Sequence, residues 1–243
     1  MRKAFLFSGL ALTASIFLVL VAVVYVLFDI DSMIKQSIES TASRAFKVPV
    51  TVTEATMSLK SGDGQIVGLS IPNPPGFATP EAIHMPLISM QVDTGRIAAH
   101  SIKLQHVIID RPRIVLELKD GRANLMRLKA STEAWVARSK NAGEEAAKGQ
   151  RLTIHDVTMQ NGILLFHADF LNGEDLEIPL PDSRVTKIGK TTDGALPAEV
   201  AQIVMQLLVT ATERASRRID LKALAEANKT IAPDIDLSAI LTK

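Results

Sequence analysis

Cysteine is absent from the 243 residues of the chain. That excludes disulfides, thiolate metal sites and cysteine nucleophiles, and it leaves the redox compartment open. An excess of charge of either sign is absent too: 27 basic residues stand against 26 acidic ones, so no bulk attraction to nucleic acid is expected. The familiar catalytic signatures are missing as well. There is no His-Glu-x-x-His zinc helix, no Gly-x-Ser-x-Gly elbow and no P-loop. Gly62, Gly64 and Gly68 lie close together, but no helical periodicity follows them, so they do not read as a phosphate cradle. Glu144 and Glu145 sit among alanines and charges, without the rigid scaffold that acid-base chemistry needs. His106 and His155, with Asp110 and Asp156 near them in sequence, read as solvated neighbours on outward strand faces. The expectation is a protein that is not an enzyme and holds no cofactor and no metal.

What is present begins with Ala4 to Phe28, a run without a charged residue. As a helix it would measure about 37 Å, enough to cross a hydrocarbon core of about 30 Å. Arg2 and Lys3 precede it and Asp29 and Asp31 follow, which places the N-terminus in the cytoplasm and the remainder beyond the membrane. Tyr25-Val26-Leu27-Phe28 offers no small-residue cleavage site, so an uncleaved, single-pass anchor in the inner membrane is expected, with the bulk of the chain in the periplasm. Ile30, Ile34, Ile38 and Ala42 then recur every four residues, the mark of an amphipathic helix, either a plug on the end of a sheet or a membrane-surface helix.

The rest is organised around Ser101 to Leu118. Apolar residues at Ile102, Leu104, Val107 and Ile109 give way to Asp110-Arg111-Pro112, and Ile114, Leu116 and Leu118 resume the alternation. This reads as a strand, a turn and a returning strand. Leu152, Ile154, Val157, Met159, Asn161-Gly162, Leu164 and Phe166 repeat the pattern, and Val50, Val52, Ala55 and Met57 repeat its first half. A unit of roughly fifty residues used three times suggests a repeat array of strands. The step of three inside each copy calls for a β-bulge, near Thr53-Glu54, Gln105-His106 and His155-Asp156. Pro86 suggests that Ile83 to Val92 is an edge strand or begins beyond it. Residues 131–150, with Trp135, read as an exposed, partly helical linker. Leu196-Pro197 opens a helix with an apolar stripe at Val200, Ile203, Val204, Leu207, Leu208 and Ala211. Leu221, Leu224 and Ala225 suggest further helical turns, and Asp234 to Lys243 reads as a loosely held tail.

The expected fold class is therefore α+β: an N-terminal transmembrane helix, a curved, mainly antiparallel, groove-like repeat sheet, and a C-terminal amphipathic helix. Its divisions are an anchor (1–30), the amphipathic helix and first β region (31–130), a linker (131–150), a second β region (151–194) and the C-terminal helix and tail (195–243). If the strands curl into a trough, Ile102, Leu104, Val107, Ile109, Ile114, Leu116, Leu164 and Phe166 line its concave side. Either the C-terminal helix lies on that side and closes a core, or part of it stays open to acyl chains, since burying one methylene contributes about 0.8 kcal/mol. The pattern alone leaves both open.

Several stretches resemble the N-terminal part of AsmA-like envelope proteins. They are the charge-free run followed by an amphipathic helix, Val48-Pro49-Val50, the segment from Gly68 through Pro72 and the loop Asn73-Pro74-Pro75-Gly76-Phe77, the Ile102-x-Leu104-x-x-Val107-x-Ile109-x-x-Pro112 pattern, and Asn124-Leu125. Ile188-Gly189-Lys190 and Pro197-Ala198-Glu199-Val200 resemble a short, single-module branch of that group. The resemblance implies an inner-membrane anchor, a periplasmic β-groove related to bridge-like lipid-transfer proteins, and a role in phospholipid transport or outer-membrane assembly. Its partners would be the membrane, phospholipid acyl chains and an envelope protein. The chain is too short for its groove to bridge a periplasm, which favours shuttling, assembly as one module, or regulation. The alternative is a structural or interaction protein with a closed core that scaffolds or regulates a partner.

Overall fold

The computed structural model describes residues 31–96, 101–141, 150–168, 171, 175–190, 194–220, 237 and 241. A helix over residues 31–46 (α1) leads into the sheet. Its strands are β1 (Glu54–Met57), β2 (Asp63–Pro72), β3 (Glu81–Val92), β4 (Ser101–Asp110), β5 (Arg113–Lys119), β6 (Arg122–Ala123), β7 (Arg151–Gln160), β8 (Ile163–Ala168), β9 (Leu176–Pro179) and β10 (Ser183–Ile188). Two further helices are α2 (Asn124–Asn141) and α3 (Pro197–Ser216). The strands form one curled mixed sheet, a half-barrel.

The expected fold class needs correction on one count. No helix among the described residues is long and apolar enough to cross a membrane, so the expected N-terminal transmembrane helix is not part of the described architecture. The run from Ala4 to Phe28 lies outside the described residues. The sheet is mainly antiparallel, as expected, with two parallel pairings inside it, β4 beside β7 and β5 beside β8. β4 and β5 do not pair with each other as a hairpin. Leu87 and His84 of β3 face Asp110 and Arg113, so β4 and β5 follow one another along the same antiparallel neighbour. The break between them is a kink at Arg111, whose φ is 53°. β7 and β8 are joined in the same way at Asn161, with φ 57°.

The two kinked rows lie side by side and parallel. Ser101 faces Arg151 at one end and Leu118 faces Ala168 at the other, with partners 50 residues apart as in His106 and Asp156. The sequence repeat is thus a spatial repeat, copy laid on copy. Parallel neighbours need a crossover of about a dozen residues or more. α2 supplies it, which corrects the exposed-linker reading of its stretch. Leu125, Leu128, Thr132 and Val136 are buried along one face, and α2 packs on β5 and on α3. Residues 142–149 of the expected linker lie outside the described residues.

Pro86 is central, not at an edge. β3 pairs with β5 at Ile83 and His84 and with β4 from Leu87 onward, so Pro86 sits where one partner gives way to the other. On its other side the β2 register skips from Val67 to Leu69, across Gly68. A missing amide donor removes no ladder bond there.

The three inferred irregularities exist in two forms. On β4 an extra residue is accommodated between Val107 and Leu104, opposite Met90 and Val92 of β3. At the other two sites both neighbours bend together. Thr51 bridges Ser70 and Glu54 pairs with Val67, with Gly68 between them at φ 63°. Ile154 pairs with Ile188 and Asp156 with Thr186, with Lys187 between them at φ 62°. Either way two consecutive side chains share a face.

α1 is laced to the first copy: Val52 N–H donates to Glu39 Oε1 at 2.8 Å and Val50 N–H to Ser43 Oγ at 2.9 Å. This is the plug reading of that helix. α3 starts as expected, with Leu196 N–H donating to Glu199 Oε2 at 2.9 Å in a capping-box arrangement. Arg217 near its C-terminal end pairs with Glu213 at 2.7 Å. Leu221, Leu224 and Ala225 lie outside the described residues. Leu237 and Leu241 of the supposed tail are buried in the core, so at these two points the segment is docked, not loose.

Candidate functional site

The concave face is divided in two. Ile114, Leu116, Leu164 and Phe166 are fully buried, in the core that α2 helps to close over β5. Leu104, Val107 and Ile109 instead line an apolar cavity of about 310 Å³ between the sheet, α1 and α3. Ile102 is half-buried and does not line it. Of the eight residues expected to form the trough, three therefore reach open space and four belong to a closed core. The helices add lining that the strand pattern could not show: Ala42 and Phe46 from α1, Trp135 from α2, and Val200 and Val204 from α3. Trp135 is half-buried against this space and not a lone exposed aromatic. The available signals were the four-residue spacing of Ile38, Ala42 and Phe46 and of Val200, Val204 and Leu208.

The wall of this cavity is almost entirely hydrocarbon, with Thr41 as its hydroxyl-bearing member. Among the described residues, no titratable side chain lines it. It can exclude water and hold an apolar guest.

The loop Asn73, Pro74, Pro75, Gly76, Phe77 lies away from the cavity, and none of the five lines it. Its place is fixed by Glu117 of β5, which is 2% exposed. The Glu117 carboxylate accepts from Thr79 N–H at 2.8 Å, Thr79 Oγ1 at 2.6 Å, Asn73 Nδ2 at 3.1 Å and Ala78 N–H. Asn124 Nδ2 donates to Asn73 Oδ1 at 2.8 Å, and Arg127 donates to the Pro75 carbonyl at 2.8 Å. Burial pushes the Glu117 carboxyl up, but the Thr79 hydroxyl and the Ala78 and Thr79 amides outweigh it and hold the group below its usual range.

On the convex face the bend at His155 gathers a second polar group. Asp156 Oδ2 accepts from His106 Nδ1 at 2.9 Å, His155 Nδ1 at 3.0 Å and Arg184 at 2.7 Å. The Asp156 side chain is 3% exposed, while those of His106 and His155 are 56% and 50% exposed. The hydrogen bond from His155, with those from Arg184 and His106, pulls the Asp156 carboxyl down to about 2 against the opposing effect of burial. His106 and His155 are half-exposed on the outward face, as expected, and β4, β7 and β10 gather them with Arg184 around the buried Asp156. Asp110 is not part of this group and instead accepts from Asn161 and Gln160.

No protein-family model matches the chain, and no curated protein does.

Proposed function

We propose that this protein is a non-catalytic lipid-handling module of the cell envelope, a short single-module relative of the AsmA-like group acting on the periplasmic side of the inner membrane. Its cavity between α1, α3 and the sheet takes a fatty acyl chain. The observation that supports this reading is the lining: seven elements contribute side chains, and hydrocarbon dominates throughout. A volume of about 310 Å³ is at the small end of ligand pockets, which run from about 300 to 1,000 Å³. It suits a single chain better than a whole diacyl lipid. Each methylene taken from water contributes about 0.8 kcal/mol, enough to hold a chain without any polar anchor inside the cavity.

The test is to purify the full chain from native membranes in mild detergent and analyse it by lipid mass spectrometry, then titrate it with a fluorescent fatty acid. The expected result is one acyl chain per protein, displaced by the probe. Absence of stoichiometric lipid together with no probe binding overturns the reading. The closed half of the sheet, with Ile114, Leu116 and Leu164 at 0% exposure, favours a second reading: a scaffold whose core is purely structural. Crosslinking in cells would then capture one protein partner even after the cavity has been filled by a larger side chain.

A further inference from the structure

His106, His155 and Asp156 are the one group of histidine and carboxylate side chains, among the described residues, whose candidate ligand atoms all lie within 4.8 Å of one another. Their convergence is a product of the irregular strands. In a regular strand His155 and Asp156 would point to opposite faces. The bend that leaves Lys187 at φ 62° turns both outward, and the extra residue on β4 turns His106 to meet them. The two imidazoles stand edge to face, 67° apart with ring centres separated by 5.8 Å. Neither stacks on the other, and both aim Nδ1 at the same carboxylate oxygen.

We propose that His106 Nδ1, His155 Nδ1 and Asp156 form a binding site for a divalent late first-row transition metal, zinc in the first instance. Ligand bonds of about 2.0–2.1 Å in tetrahedral arrangement set neighbouring ligand atoms about 3.3 Å apart. The present separations from Asp156 Oδ2, 2.9 and 3.0 Å, differ from that by a few tenths of an ångström. The ligand set, two imidazoles and one carboxylate, suits zinc and copper and does not suit calcium or magnesium, which prefer oxygen alone. The half-exposed rings leave the fourth position to water. On binding, each neutral imidazole carries its single proton on Nε2 and presents the Nδ1 lone pair to the metal, so the two Nδ1–H···Oδ2 hydrogen bonds give way to metal–ligand bonds.

Arg184 is the competitor. Its guanidinium holds the same Oδ2 at 2.7 Å, and its side chain, 56% exposed, is free to swing aside into solvent. A bound dication would take over its charge-compensating role. The metal would also clip β4 to β7 across the parallel seam, between residues 50 apart in sequence.

The experiment uses the full chain in detergent, without a histidine tag, titrated with Zn²⁺ against a chromophoric chelator and with Co²⁺ by visible absorption. One equivalent of Zn²⁺, a tetrahedral Co²⁺ band and a Zn²⁺-dependent rise in melting temperature are expected. His155→Gln and His106→Gln should each weaken Zn²⁺ binding by more than about 100-fold, and Arg184→Gln should tighten it by about tenfold. Because the histidine variants also lose a hydrogen bond to Asp156, each is first shown to melt cooperatively without metal. No Zn²⁺ binding by the parent chain, or binding of equal strength in the folded double variant His106→Gln/His155→Gln, overturns the proposal.

Discussion

Glu117 occupies a position that would be costly for a carboxylate without partners, since a buried charge is tolerated only when its acceptor oxygens are satisfied. It meets that condition by collecting donors from a loop that cannot pair in a sheet, because Pro74 and Pro75 have no amide hydrogen. Its carboxyl titrates below its usual 4.5 in the folded chain. Its contribution is therefore complete above that value and is lost as pH falls through the lower, folded value. Amide exchange at Ala78 and Thr79, corrected for intrinsic chemistry, should accelerate below pH 4.5. Glu117→Gln should abolish that acid sensitivity and cost about 1–3 kcal/mol in a denaturant titration at neutral pH. Thr212 of α3 presents the opposite case. It is fully buried, and among the described residues its Oγ1 has no hydrogen-bond partner. Thr212→Val keeps the shape and removes the unsatisfied hydroxyl, so a stabilisation of about 1 kcal/mol, read as a raised Tm, is expected.

At the scale of elements, the bends decide which side chains reach which face. At Gly68, φ is 63° and a Cβ would lie 2.4 Å from Thr53 Oγ1. Gly68→Ala should cost more than about 1 kcal/mol, the ordinary penalty of a left-handed alanine, because the clash adds to it. Thr53→Ala in the same chain should recover the clash and leave the backbone penalty, which a double-mutant cycle would separate. The repeat, the strand positions and the start of α3 were legible in the sequence because alternation and a proline at the first helical turn are local signals. Pairing was not. Asp110-Arg111-Pro112 and Asn161-Gly162 have the composition of hairpin turns, yet in each case a single left-handed residue bends the strand and lets it run on. Nothing local distinguishes the two outcomes, since that depends on whether β3 is long enough to serve both halves. α2 escaped for a different reason. Its buried face includes Asn124 and Thr132, polar residues satisfied by Val115 O and Lys129 O, so the apolar stripe is interrupted. The polar group on the convex face was visible only as two histidines beside two bends; Arg184 had no sequence signal at all.

For the whole molecule, one sheet face serves two purposes along the same parallel rows. Ile114, Leu116, Leu164 and Phe166 lie beyond the kinks at Arg111 and Asn161, and Leu104, Val107, Leu152 and Ile154 lie before them. The kinks thus mark the boundary between a packed core and a cavity. The two halves should respond oppositely to changes in volume. Leu164→Ala opens a void in a close-packed region and should cost about 2–5 kcal/mol, with little change in fatty-acid affinity while the chain stays folded. Val204→Phe projects into space that is already empty, so it should leave Tm level or raised. By displacing two or three methylenes of a guest it should weaken fatty-acid binding by about tenfold or more. Denaturant midpoints and probe titrations on the same two variants decide the matter. If Val204→Phe destabilises the fold as Leu164→Ala does and leaves probe binding intact, the space beside α3 is core and not a site.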